Sequence, residues 1–259
     1  MGAHAPDWWR RPGGPFTESV IAAACAHAAR EAPRESVGAV VDGAYVPLEN
    51  VAEDPAAQFM VGAEAAGALF AAGRLEGFVH SHPGGPAHPS AADMRGQRDS
   101  AAPWAIVIPG EGGGRLACRW GDGAPPLFDA AGAHLPREFL HGVADCYTLI
   151  RDWQAEARGL ALPDYPRDWE WWAEPGANLY LDNLEDAGFR VVSRDQSAFA
   201  GLAQPGDVYL MAIRAKAPNH GGVYLGDGLA LEHMPGRLSG ARPVGPLLRH
   251  VTHWLRRDV

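Results

Sequence analysis

Two short stretches of this chain carry residues whose types and spacing suit bond-breaking chemistry. The first is His80-Ser81-His82-Pro83, followed by Ser90 and Asp93. Histidines at i and i+2 on an extended segment point to the same side. Asp93 lies eleven residues past His82, beyond a Gly-Gly-Pro-Ala-His-Pro turn able to fold the chain back. Two imidazoles and a carboxylate suit zinc, with a fourth position left for water. Hydrolysis at such a centre also needs a general base. The candidate is Glu35, flanked by Glu31 and Glu49, in Pro33-Arg34-Glu35-Ser36-Val37-Gly38 at the entry to a hairpin. A strand there can lie beside the one carrying His80. Ser90 is placed to donate to the oxyanion formed when water attacks a carbonyl. Ser90-x-x-Asp93 also reads as a capping box, which would hold Asp93 still.

The second stretch is Asp145-Cys146, opening a helix, with Asn219-His220-Gly221-Gly222 downstream. A thiol at a helix N-terminus feels the positive end of the dipole, which favours thiolate. A nucleophilic cysteine needs a base, usually histidine, and a third group to orient it. A Gly226-Asp227-Gly228 turn returns the chain along Leu229–His233, so Glu232 and His233 lie across from His220. Adjacent strand residues face opposite ways, so one of the two should face it. Cys25 and Cys118 read as small buried hydrophobes.

The elements that must position these residues follow from periodicity and turn signals. Thr17 caps a helix running to about Arg30. Val37–Val41 and Tyr45–Leu48 are strands joined at Asp42-Gly43. Asp54-Pro55 starts a helix reaching Gly73, with Phe59, Ala63, Ala66 and Phe70 inward. Leu75–Ser81 is a strand, Ser90 to Ser100 a helix, and Trp104–Ile108 and Leu116–Trp120 are strands. Residues 123–136, rich in Gly, Ala and Pro, form the expected linker. A helix then spans Asp145–Gly159 and another Gly176–Ala187. Strands follow at Phe189–Val192, Asp207–Ile213, His220–Leu225 and Leu229–His233. The fold class is therefore α/β in the first half and α+β in the second, with domains at 1–122 and 137–259.

The chain has 259 residues and a net charge of −9, with 47% apolar and 20% charged residues. Neither half is a basic nucleic-acid module. The stretch Arg237–Arg257 is locally basic and reads as a solvated face. Three cysteines are too few, and odd in number, for a disulfide scaffold, which fits a reducing compartment. The N-terminus, Met-Gly-Ala-His-Ala-Pro-Asp-Trp-Trp, lacks a signal-peptide core. No run approaches the roughly 20 apolar residues of a membrane span.

Glu35 with His80-Ser81-His82-Pro83, Ser90 and Asp93 resembles the JAMM (JAB/MPN) metallopeptidase motif over residues 16–122. That resemblance implies Zn²⁺ held by His80, His82 and Asp93, Glu35 as base, Ser90 as oxyanion donor, and cleavage of peptide or isopeptide bonds. Asp145-Cys146 and His220-Gly-Gly-Val-Tyr-Leu-Gly-Asp-Gly resemble the NlpC-type cell-wall cysteine peptidases, with a papain-like core, over residues 137–259. There the third polar residue, twelve positions after the histidine, falls on Glu232, with His233 as the alternative. Both halves in this order, with Leu231-Glu232-His233-Met234-Pro235-Gly236, Tyr165 to Trp172 and Ala187-Gly188-Phe189, resemble the phage lambda-type tail tip assembly protein K family. That family context implies a tail-tip component made in the host bacterial cytoplasm and then carried at the virion tail tip. It implies phage tail-tip partners, a ubiquitin-like assembly partner and a peptidoglycan substrate, and neither nucleic acid nor a membrane span. Two rival readings are a structural tail-tip protein with one or both sites inert, and a cellular isopeptidase acting on a sulfur carrier.

Overall fold

The structure is a computed structural model describing residues 7–257, apart from the side chain of Ala200. The first six residues, part of the N-terminal stretch read for a signal-peptide core, lie outside the described residues. The chain forms two compact units divided between Pro125 and Pro126.

In the first unit, Thr17 caps α1 (Glu18–Glu31), accepting the Val20 N–H at 3.3 Å. Strands β1 (Val37–Val41) and β2 (Ala44–Leu48) meet at Asp42-Gly43, both in the left-handed region that a tight hairpin turn requires. Then come α2 (Ala63–Ala72), β3 (Leu75–Ser81), α3 (Ala91–Ser100), β4 (Trp104–Ile108) and β5 (Arg115–Trp120). The sheet order is β2-β1-β3-β4-β5, and only the β3–β4 pair, bridged by α3, is parallel. The core forms where Val20, Ala24 and Ala28 of α1 meet Val40, Val79, Ala105 and Val107 of the sheet.

The helix expected from Asp54 is shorter than its periodicity suggested. It begins at Ala63, and none of its residues is buried. Asn50 is the reason. Its side chain donates to the Gln58 carbonyl and accepts the Met60 N–H, while Val51 N–H bonds the Met60 carbonyl. Those bonds hold 58–60 beside 50–52 and deny the segment to a helix. Phe59 therefore leaves the helix register and stacks on His80, with ring centroids 4.7 Å apart. Phe70, expected inward, is 51% exposed.

The second unit contains α4 (Cys146–Arg158), α5 (Leu179–Asp182), β6 (Arg190–Ser193), α6 (Phe199–Leu202), β7 (Val208–Met211), β8 (His220–Gly226), β9 (Leu229–Glu232), β10 (Gly240–Pro243) and β11 (Val251–Arg256). Its sheet, β10-β9-β8-β7-β11-β6, is antiparallel throughout. Leu149, Ile150 and Trp153 of α4 pack on Val208, Leu210, Val223 and Leu231. Gly221 is required where β8 passes under α4: a Cβ there would lie 2.9 Å from the Tyr209 carbonyl and 3.2 Å from Ile150.

Two expectations give way here. The basic C-terminal stretch is not wholly a solvated face: β11 lies inside the sheet, with Val251 and Trp254 fully buried and Arg256 paired to Asp207 at 2.7 Å. The helix expected over Gly176–Ala187 shrinks to α5, followed by turns that end at Gly188. Within the segment expected as linker, Leu127 is fully buried in the second unit's core, and its N–H is held by Glu156 at 2.8 Å.

Candidate functional site

The metal-ligand candidates sit where β3 runs out and α3 begins. In the β1–β3 register Val37 pairs with His80, and the Ser81 N–H bonds the Ser36 carbonyl at 2.9 Å. Continued by one residue, that register sets Glu35 opposite His82. His80 Nε2 lies 3.2 Å from Asp93 Oδ1 and 3.1 Å from His82 Nε2, and His82 Nε2 lies 3.5 Å from Asp93 Oδ2. One ligand atom from each residue falls within 4.8 Å of the other two, and all three residues are buried.

The donor set fits a divalent cation. His82 donates Nδ1–H to the Pro86 carbonyl at 2.9 Å, which leaves Nε2 of the neutral ring as a lone pair aimed into the cluster. Two imidazole Nε2 atoms and a carboxylate converging in a buried space are the donors zinc takes. The surroundings are apolar: Phe59, Trp104 and Trp120 ring His80 at 4.7, 5.6 and 6.5 Å. Burial pushes the Asp93 carboxyl up, but His80, His82 and Ser90 together hold it well below the carboxylate range.

Glu35 is half-buried beside this cluster. Burial pushes its carboxyl up to about 7, partly offset by His82 and reinforced by the Asp93 charge. That value suits a group that accepts a proton at neutral pH. Ser90 caps α3, as the spacing suggested, with reciprocal bonds in place. Its hydroxyl proton goes to Asp93 Oδ2 at 2.7 Å, so in this arrangement the Ser90 hydroxyl holds the Asp93 carboxylate and its proton is not directed elsewhere.

In the second unit Asp145 caps α4, accepting the Thr148 N–H at 3.0 Å and the Gly142 N–H at 2.8 Å. Arg167 grips the same carboxylate with two bonds of 2.9 Å, and both side chains are buried. These contacts fix the backbone at Cys146. β8 passes under α4 at Gly221, and the first residue of β8, His220, is set beside the start of that helix. Cys146 and His220 line one cavity of about 390 Å³, together with Trp169, Trp171, Trp172 and Arg214.

The helix N-terminus does not make the resting thiol a thiolate. Burial and the Asp145 charge push Cys146 up to about 11, against opposing contributions from Tyr180, Arg167 and Gly221. Burial, followed by the nearby His233, pushes His220 down to about 4. Both groups are therefore neutral near pH 7.

Of the two candidates for the third position, His233 lies close enough to His220 to disfavour its charged form. Glu232 is still in the β9 ladder, opposite Gly222, and its carboxylate is paired with Arg242 at 3.1 Å. His233 stands one residue past the end of β9, where strand alternation no longer fixes its direction. His220 Nε2, Glu232 Oε2 and His233 Nε2 are each buried without a hydrogen-bond partner among the described residues. Sequence reasoning missed Tyr180 and Arg167. Tyr180 Oη lies 3.2 Å from Cys146 Sγ. The only signal for it was the aromatic richness of the 165–180 stretch, which singles out no one residue.

Residues 17–120 match the family of prokaryotic homologues of the JAB domain, and residues 119–255 match the NlpC/P60 family. The tail tip assembly protein K of Escherichia phage lambda is 40% identical over 185 residues, covering 71% of this chain and 79% of that protein. The tail tip assembly protein K of Escherichia phage N15 is 33% identical over 233 residues, covering 88% and 89% respectively. A solved NlpC/P60 family protein from Bacillus cereus aligns at 12% identity over 89% of this chain and 65% of that one, with a TM-score of 0.28, too loose an overlap to bear on the fold. Among the described residues, no helix is long and apolar enough to cross a membrane.

Proposed function

Since the chain belongs to the tail tip assembly protein K family and carries a JAB-homologue domain followed by an NlpC/P60 domain, we propose that it is a phage tail-tip protein with two hydrolytic centres. The second centre is a cysteine endopeptidase acting on peptidoglycan stem peptides. The first is a zinc-dependent peptide or isopeptide hydrolase. Its partners are other tail-tip proteins, a ubiquitin-like assembly partner among them.

The observation that carries this reading is the convergence of Cys146 and His220 on one cavity, under a helix whose first turn Asp145 and Arg167 hold rigid. Because both groups rest neutral, His220 takes the thiol proton as the sulfur approaches a substrate carbonyl. His233, or Glu232 in its place, orients the His220 ring. His220 gives the thiol proton to the departing amine as the C–N bond breaks, and water then resolves the thioester. In the first centre His80, His82 and Asp93 would hold the ion. Bound there, zinc would polarise a carbonyl and acidify a water. Glu35 receives a proton at its carboxylate and passes it to the leaving amine. Ser90 and the Pro86 carbonyl keep the ligands aimed, and the ring of Phe59, Trp104 and Trp120 limits water.

The test is loss of turbidity of purified bacterial cell walls, with release of new amino groups. The native chain should clear walls, and Cys146→Ala should not. Equal clearing by both would remove Cys146 as nucleophile. No clearing by either would favour a structural tail-tip role for this half.

A further inference from the structure

We infer that Tyr180 is a catalytic residue of the cysteine centre, its phenolic O–H donating to the Cys146 sulfur and stabilising the thiolate when it forms. Tyr180 Oη lies 3.2 Å from Cys146 Sγ, inside the range for a hydrogen bond to sulfur. Either atom has a proton to give while the thiol is neutral. Once the thiol ionises, sulfur is an acceptor only, and the phenol is the partner that donates.

The groups facing the sulfur leave few other means of stabilising a negative charge there. On α4, Asp145 is an anion and opposes it. Arg167, from the segment before α5, favours it, but its Nε and one terminal nitrogen are spent on Asp145 and its other nitrogen on Asp164 and the Tyr165 carbonyl. On β8, Gly221 gives a backbone bond and His220 rests neutral. Tyr180 is thus the side chain whose polar atom directly touches the sulfur and which has a proton free to give. Burial and the neighbouring Cys146 and Asp145 charges push the phenol well above its ordinary range, so it keeps its proton while the thiol loses one. The ring is held edge-on by Trp171 at 5.8 Å and Tyr147 at 6.1 Å, which fixes where the hydroxyl points.

The inference stands on this contact, and its readout does not need the peptidase reading to hold. The experiment is the pH dependence of iodoacetamide alkylation of Cys146 in the full chain, followed by peptide mass analysis so that Cys25 and Cys118 do not contribute. A hydrogen bond to a charged group predicts that Tyr180→Phe raises the apparent thiol pKa by about one unit and slows alkylation at pH 7.5 about tenfold. Tyr147→Phe should leave the profile unchanged, because that hydroxyl donates to the Pro163 carbonyl at 2.7 Å and not to sulfur. An unshifted profile in Tyr180→Phe, or an equal shift in Tyr147→Phe, overturns the assignment. Should the Tyr180→Phe chain fold poorly, 3-fluorotyrosine incorporated throughout supplies a more acidic O–H with nearly unchanged packing. The native thiol pKa must then fall, and the proposal is lost if it does not. A chain that alkylates as expected yet cleaves no wall refutes the peptidase reading, and with it the catalytic role, while the Tyr180 hydrogen bond to the thiolate stands.

Discussion

The Ser90 hydroxyl gives its proton to Asp93 Oδ2 at 2.7 Å and accepts the Asp93 N–H at 3.1 Å, so one residue both starts α3 and aims a metal-ligand candidate. Removing the hydroxyl leaves Oδ2 held on this side by the Ser90 N–H alone, at 2.8 Å. Ser90→Ala should lower zinc affinity about 10- to 100-fold, the usual effect of losing a partner behind a ligand. It should also remove about 1 kcal/mol of stability through the lost cap. Competitive chelator titration and urea unfolding read the two effects separately. Unchanged zinc affinity would mean that Asp93 is not a ligand or needs no orienting.

The neighbours Glu232 and His233 separate by mutation. With His233 in the orienting position, His233→Ala should reduce wall hydrolysis by at least tenfold through kcat. Glu232→Gln weakens the pair with Arg242 and should leave kcat within about threefold, as expected for an ion pair whose arginine partner is partly exposed. The reverse ranking would give the orienting position to Glu232.

A neutral thiol and a neutral imidazole make a distinctive pH profile. His220 is pushed down to about 4, chiefly by burial, so the base is unprotonated above that value. Cys146 is pushed up to about 11, chiefly by burial, so the thiol keeps its proton until then. Wall hydrolysis should rise through about pH 4 and show no second rise or fall tied to thiol ionisation until about pH 11. An ion-paired thiolate would instead lose activity on the alkaline side as the imidazolium deprotonates, well below about pH 11. Initial rates on a soluble stem-peptide fragment across that range decide between them.

Asp145 and Arg167 form a buried, two-bonded pair, and breaking it leaves a guanidinium without its anion. Asp145→Asn should destabilise the second unit by about 3–5 kcal/mol. The pair also predicts a direction with pH. Burial raises the Asp145 carboxyl, but Arg167, followed by His141 and Thr148, depresses it far below its unfolded value. Its contribution is therefore complete above the unfolded value of about 3.9 and fades as pH falls below it. Urea midpoints for native and Asp145→Asn chains should accordingly differ widely at pH 7 and converge in acid.

Much of the candidate chemistry was readable because it rests on local rules. The i, i+2 histidines, the Ser90 cap and the Asp145 cap each follow from spacing of a few residues, and the described residues adopt them. What escaped depends on long-range partners. The start of α2 is set by Asn50 bonding residues 8 and 10 positions away. The basic cast of the C-terminal stretch concealed a strand whose place is decided by Asp207, 49 positions from Arg256. Tyr180 meets Cys146 across 34 residues, and no periodicity reports such an encounter. Glu232 and His233 fall on either side of the end of β9, and element ends are the hardest feature to read from a sequence.

The clamp on the first turn of α4 has a mechanical corollary. Asp145 is tied to Gly142, Thr148 and Arg167, so the floor beneath the sulfur cannot yield to an arriving ligand. The facing wall is built from 168–178 and 212–219, which carry no regular element longer than the single turn Trp171–Ala173. The reacting atom thus keeps its address, and the shape a ligand must match is set by the aromatic rim of Trp169, Trp171 and Trp172 above it.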